Sequence, residues 1–169
     1  TWRVNVSAGL IAAGRYHEAL YTLPDHRLFR NSRWGKLQQA VCHNNGFAAL
    51  IELKMTDAAR QSLTLMYGAV EGLKPGKAQD RLSRLCRLND AEYAMALGRF
   101  DGAEAVFREA VDKAESNYER VSAMLDLGLV HAHFGRTDEA REAFEYVIAH
   151  GNMLYAVAQA RKALAALRP

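Results

Sequence analysis

The stretch 124–148 constrains most strongly what this chain can fold into. In its first part, apolar residues recur every three or four positions on two sides of a helix, up to a turn at Gly135. In its second part, Ala140, Phe144 and Val147 share one stripe, and the remaining positions are largely charged. The pattern predicts two helices folded back on each other. Because one such hairpin leaves apolar surface bare on both sides, neighbouring hairpins must stack on it.

Local signals specify the turn between the two helices. Gly135 accepts the left-handed backbone conformation that ends many helices, and Thr137 or Asp138 is expected to cap the helix that follows. Gly128 has no side chain, so another helix can approach it closely. We therefore expect close helix packing at Gly128 and a sharp turn at Gly135.

Weaker copies of this hairpin precede it along the chain. Their matching alanines, Ala19, Ala59, Ala103 and Ala140, are 40, 44 and 37 residues apart. These intervals exceed a period of about 34 residues, because the connectors and the helices between them are longer. The sequence predicts one domain with hairpins at 1–24, 33–73, 78–115 and 118–151 and a closing helix at 153–167 that Asn152 caps.

The repeated pattern resembles the tetratricopeptide repeat, which combines a Leu-Gly pair, a small turn residue and an Ala-x3-Phe motif. The residues that carry the resemblance are Leu127, Gly128, Gly135, Ala140, Phe144 and Val147. Two departures are His131, where the pattern prefers a larger residue such as Tyr, and Asn152, near where Pro usually closes the repeat. The resemblance implies an all-α, right-handed α-solenoid of helix-turn-helix repeats with a C-terminal capping helix.

The resemblance also implies a concave surface, lined by the first helix of each hairpin, that binds a protein or peptide. Carried over position by position, this surface contains Val41, Asn44, Asn45, Ala48 and Glu52 from the second hairpin, Leu85, Leu88, Asn89, Glu92 and Met95 from the third, and Ser122, Leu125, Asp126, Leu129 and His133 from the fourth. Its semi-apolar character favours an amphipathic helix or an extended apolar segment as the partner. Several of these residues are alternatively explained by packing between neighbouring helices.

Two rows of basic residues are a second candidate for binding. One comprises Arg27, Arg30, Arg33 and Lys36, and the other comprises Arg81, Arg84 and Arg87. Basic residues near aromatic ones bind phosphates, nucleic-acid bases or acidic peptides, but such rows are more often a solvated face with the aromatic residues in the core. Net charge is +4 in residues 1–76 and −1 in residues 77–169, an imbalance too mild to predict a nucleic-acid partner.

No pattern of residues predicts catalysis or a cofactor. The sequence contains no glycine-rich phosphate loop and no nucleophile elbow, and carboxylates such as Glu104 lie at helical spacing from arginines such as Arg108. His131 and His133 are two residues apart on a helix and point to different faces, so they cannot share a metal well. We expect a non-enzymatic binding module without metal or cofactor.

The remaining expectations concern the setting of the chain. Cys42 and Cys86 lie in apolar helical contexts, which favours buried free thiols, a reducing compartment and a cytoplasmic location. The sequence begins with Thr1, so we expect it to be part of a longer protein, tethered to a membrane if an upstream segment provides a span. The expected role is a scaffold or sensing module. The alternative is a regulatory or self-association domain of a larger membrane-bound or DNA-binding protein.

Overall fold

The computed structural model describes residues 2–29 and 31–167. Within these ranges the chain forms α-helices and one short 3₁₀ turn, and it forms no β-strand. The elements are α1 (Trp2–Ala12), α2 (Tyr16–Thr22), the 3₁₀ turn (His26–Leu28), α3 (Arg33–Glu52), α4 (Thr56–Glu71), α5 (Lys77–Ala96), α6 (Ala103–Asp112), α7 (Asn117–His133), α8 (Thr137–His150) and α9 (Tyr155–Ala166). No helix in the described ranges is both long enough and apolar enough to cross a membrane.

The helices form two compact units, residues 1–97 and 98–169. In the first unit, each of the helices α1 to α5 packs against the next, and α1 and α5 also contact α3. In the second unit, α6 to α9 pack in the same consecutive manner, and α7 also contacts α9. Contact with the next helix and the next but one is typical of stacked hairpins. The predicted all-α fold of paired helices that ends in a closing helix is confirmed.

The core of the first unit lies among α3, α4 and α5. One buried cluster consists of Ala40, Met66, Ala69, Val70, Leu73, Leu82 and Cys86. A second cluster around Phe47 and Leu63 joins the later part of α3 to the earlier part of α4. Both cysteines of the chain are buried free thiols, as the sequence predicts. These clusters fix which sides of α3 and α5 face α4 and which sides remain available to a partner.

The core of the second unit is built on Phe144, which is fully buried with residues of α7, α8 and α9. A Cβ atom placed on Gly128 would lie 2.6 Å from Cε1 of Phe144, closer than any side chain can tolerate. The absence of a side chain at Gly128 therefore allows α8 to lie directly against α7, as the sequence predicts.

A left-handed residue connects the two helices of each hairpin in the first, second and fourth repeats. Gly14 has a φ of 74°, Lys54 a φ of 62° and Gly135 a φ of 71°. Glycine adopts this conformation without steric cost, whereas a lysine side chain is strained there. The predicted turn at Gly135 is confirmed, and the structure adds Lys54 as a strained residue at the matching position.

Two predictions of helix caps are wrong. The cap of α8 is Arg136, without a side-chain cap hydrogen bond, so neither Thr137 nor Asp138 caps that helix. Asn152 does not cap the closing helix, which starts at Tyr155. Instead Asn152 has a φ of 49° just after α8, in the left-handed region that asparagine tolerates better than most residues.

Candidate partner-binding surface

The helices α3 and α5 lie side by side and are joined by a pair of asparagines. Nδ2 of Asn89 donates to Oδ1 of Asn44 at 3.1 Å and also contacts the sulfur of Met66 at 3.4 Å. Ala40 and Leu82, from the first halves of their helices, share one core cluster. Contacts in this order require α3 and α5 to run in the same direction. They form adjacent first helices of successive hairpins.

Three of the residues predicted to line the concave surface are buried. Asn45 donates to the carbonyl of Val4 and to Oγ of Ser7, both at 2.9 Å, and so holds α3 against α1. Asn89 is buried between α3 and α4, and Leu125 belongs to the core cluster of the second unit. Their contacts within the fold give these three residues a packing role.

Most of the remaining predicted positions in the first unit, together with Trp34, Arg81 and Arg84, define a partly exposed surface, whereas Leu85 packs against the buried core cluster. On α5 the stripe is formed by residues at spacings of three and four, on the side away from the buried Leu82 and Cys86. On α3 a matching stripe lies beside it. We call this surface the A face, and it consists of Trp34, Val41, Ala48 and Glu52 from α3 and Arg81, Arg84, Leu88, Glu92 and Met95 from α5, all half-buried or exposed.

The carboxylates of Glu52 and Glu92 form an electrostatic pair on the A face. Burial, and secondly the neighbouring charge of Glu52, raise the pKa of Glu92 to about 7. Glu92 is half-buried on α5, whereas Glu52 is exposed at the end of α3. Two like charges held together favour a cation between them. Sequence reasoning names both residues but not their proximity, which depends on how α3 and α5 are aligned.

The two basic rows are placed differently from each other. Arg27 lies in the 3₁₀ turn and forms an ion pair with Asp25 at 2.6 Å. Arg33 is exposed at the start of α3, Nζ of Lys36 donates to the carbonyl of Gly72 at 3.1 Å, and Arg30 lies outside the described residues. In contrast, Arg81, Arg84 and Arg87 all lie on α5, and the first two belong to the A face.

In the second unit, Ser122, Asp126, Leu129 and His133 form one stripe along α7 at spacings of four, three and four. Leu129 is 37% exposed, and the imidazole of His133 stacks on the ring of Phe100 with centroids 3.8 Å apart and planes within 6°. The stripe therefore presents polar, aliphatic and aromatic groups to a partner.

A charged network close to His131 stabilises the same unit. Glu104 accepts hydrogen bonds from Arg136 at 2.7 Å and Arg108 at 2.9 Å, and these arginines hold the pKa of its carboxyl at about 2. His131 is buried, and burial followed by the charge of Arg136 lowers its pKa. The predicted helix-supporting pair of Glu104 and Arg108 is thus confirmed, and His131 is a core residue.

A cavity between α2, α3 and α4 is absent from the sequence prediction. It has a volume of about 300 Å³ and is lined by Leu20, Leu23, Pro24, His26, Cys42, His43, Gly46, Leu50, Ala58, Gln61, Ser62 and Leu65. Burial lowers the pKa of His43 to about 4 and raises that of the Cys42 thiol to about 11, so both groups are neutral at physiological pH.

The described residues contain no group of three or more His, Cys, Asp or Glu side chains placed to hold a metal ion. The carboxyl groups with strongly shifted pKa values are Asp25, Glu92 and Glu104, and they belong to an ion pair with Arg27, the A-face pair and an arginine network, respectively. The A face and the α7 stripe are therefore two partly exposed helical surfaces, and each bears both apolar and charged side chains.

Gly128 and Phe144, where α7 packs against α8, belong to the repeat pattern on which the resemblance to a known family rests. A family model of the tetratricopeptide repeat matches residues 88–153. The predicted resemblance to the tetratricopeptide repeat is confirmed over this segment. Tetratricopeptide repeats generally mediate protein–protein interactions and are typically non-catalytic. No curated protein and no solved structure matches the chain at a significant level.

Proposed function

We propose that the chain is a protein- or peptide-binding module that holds its partner along the A face. The observation that carries this proposal is the stripe on α5 beside that on α3, where aliphatic and charged side chains share one face without being fully buried. Interaction surfaces of this kind derive their affinity from a few apolar or aromatic anchors surrounded by polar groups. The match of residues 88–153 to the tetratricopeptide repeat, which generally mediates protein–protein interactions, supports a protein partner.

The anchors of the A face are Trp34, Leu88 and Met95. Trp34 is 61% exposed near the start of α3, although tryptophan is a costly residue to leave in water. Leu88 and Met95 are half-buried at the centre and the far end of the α5 stripe. A segment laid along the face covers the exposed parts of all three side chains, so burial of apolar surface drives binding.

The stripe on α7 extends the same proposal to the second unit. Ser122, Asp126, Leu129 and His133 present a face of similar composition, with the His133 ring held by its stack on Phe100. We expect this stripe to contact a protein partner as well. Replacing Leu129 with Asp tests its contribution separately from that of the A face.

The test is capture of partners from a native lysate on the immobilised chain, followed by mass spectrometry. The wild-type chain is compared with the Leu88→Asp/Met95→Asp variant and with a control, Met153→Asp. Met153 is 96% exposed in the second unit, so the control adds the same kind of charge outside the A face. Circular dichroism establishes that all three chains are equally helical.

The expected result is a set of proteins that the wild-type chain and the Met153→Asp chain retain and that the double variant loses. Retention of the same proteins by the double variant would exclude the A face as the binding surface. Light scattering of the purified chain distinguishes the alternative of self-association, which predicts a mass above that of one chain.

A further inference from the structure

The charges of the A face are sorted along its length. Arg81 and Arg84 lie in the first half of α5, and Glu92 lies in its last part. On the parallel helix α3, Trp34 lies near the first residue and Glu52 is the last. One end of the face is therefore basic and aromatic, and the other end is acidic.

The backbone adds to this order. Because α3 and α5 run in the same direction, both helix N-termini lie at the arginine end and both C-termini at the glutamate end. A helix carries partial positive charge at its N-terminus and partial negative charge at its C-terminus. At each end of the A face, the charges of the side chains and the partial charges of the helix termini thus have the same sign, and their electric fields add.

The middle of the face is apolar. Leu88 lies between the arginines and Glu92 on α5, and Val41 and Ala48 lie between Trp34 and Glu52 on α3. All three of these aliphatic side chains are half-buried, so a partner completes the burial of their exposed parts.

We propose that the A face recognises an apolar segment with acidic residues on one side of its centre and basic residues on the other. The acidic side lies against Trp34, Arg81 and Arg84, and the basic side lies between Glu52 and Glu92. This inference rests on the proposed function, because it specifies the chemistry of the segment that the same face binds.

The glutamate end favours a cation for a definite physical reason. Glu52 and Glu92 repel each other, and the half-buried position of Glu92 reduces the screening of that repulsion by water. A lysine or arginine placed between them replaces a repulsion with two attractions.

The arginine end favours carboxylates. Arg81 and Arg84 already interact with other groups of the fold, but each guanidinium has five N–H donors and can bind a further acceptor. A continuous polyanion such as a nucleic acid is disfavoured, because its phosphates would also lie against Glu52 and Glu92. The separated charges of the A face therefore favour a peptide segment that is acidic on one side of its centre and basic on the other.

The test begins with a random peptide library displayed on phage and selected on the full chain. We expect the selected peptides to have an apolar centre with acidic and basic residues sorted to opposite sides. The affinity of a representative peptide is then measured by fluorescence polarisation. Either Arg81→Glu/Arg84→Glu or Glu52→Lys/Glu92→Lys is expected to weaken binding about tenfold.

Combining all four substitutions provides the decisive measurement. The combined variant has the reverse charge order, so the same peptide can bind in the opposite direction and most of the affinity is expected to return. The helix dipoles are unchanged and keep the recovery incomplete. Arg141→Glu/Glu142→Lys on α8 is the matched control, since both residues are exposed outside the A face, and it should leave the affinity unchanged.

Each other outcome overturns the proposal in a recognisable way. Unsorted peptides whose binding survives both charge reversals but is abolished by Leu88→Asp would refute the charge order and leave binding along the A face intact. Peptides that still bind the Leu88→Asp chain, or a library that yields no binder, would refute the proposed function as well. Concentration-dependent dimerisation that the charge reversals abolish would identify a second copy of the chain as the occupant instead.

Discussion

The side-chain amide of Asn89 donates a 3.1 Å hydrogen bond to the side-chain carbonyl of Asn44, and this bond joins α5 to α3 beside the A face. Asn89 is buried, so its polar atoms have little access to water. The bond therefore both sets the alignment of the two helices and satisfies a buried group. It determines which residues of α3 lie opposite Leu88 and Glu92.

Replacing Asn89 with Ala is expected to destabilise the chain by about 1–3 kcal/mol, because the partner carbonyl of Asn44 is left without its donor. Urea denaturation followed by circular dichroism measures the change. Asn5→Ala is the control, since Asn5 is exposed on α1 and should change the free energy of unfolding by less than about 0.5 kcal/mol. Equal effects of the two substitutions would contradict a structural role for the asparagine pair.

Replacing Gly128 with Ala is expected to cost about 1–3 kcal/mol of stability, because the new Cβ would lie 2.6 Å from the ring of Phe144. The matched control is Gly68→Ala in α4, where a Cβ meets nothing within 4 Å. There the gain in helix propensity should stabilise the chain by up to about 1 kcal/mol. Thermal denaturation should therefore shift in opposite directions for the two variants, and a shift in the same direction would exclude the close contact.

The comparison of Gly128 with Asn152 indicates what the sequence can and cannot predict. Gly128, Gly135 and Phe144 are specified by short-range spacing, and the structure places them as that spacing predicts. Helix starts depend on which of several candidate caps the tertiary contacts favour, and the prediction of a cap at Asn152 is wrong for that reason. The pairing of Glu52 with Glu92 depends on the offset between two helices in different repeats, which irregular repeat intervals leave undetermined.

Replacing Lys54 with Gly is expected to stabilise the chain by about 0.5–1 kcal/mol. Lys54 has a φ of 62°, and this conformation is strained for any residue with a Cβ. The reciprocal change, Gly135→Ala, imposes the same strain at the matching turn of the fourth repeat and should destabilise the chain by about 1–2 kcal/mol. Both values follow from urea titrations. A loss of stability in Lys54→Gly would mean that the lysine side chain makes a compensating contact.

Replacing Glu92 with Gln is expected to make the stability of the chain less dependent on pH. Burial, and then the charge of Glu52 on the neighbouring helix, raise the pKa of Glu92 from its usual 4.5 to about 7 in the folded chain. The folded state thus binds the proton more tightly than the unfolded state, so this stabilisation is fully present below about pH 4.5 and is lost as the pH rises through about 7.

Thermal denaturation at about pH 5 and about pH 8 tests this prediction for Glu92→Gln. The variant should match the wild-type chain more closely at the lower pH and be more stable than it at the higher pH, because Gln has no proton to lose. Glu142→Gln on the exposed face of α8 is the control. If Glu92→Gln and Glu142→Gln change the melting temperature equally at both pH values, the carboxylate pair of Glu52 and Glu92 does not exist in solution. The acidic end of the A face would then lack the repulsion that favours a basic partner residue.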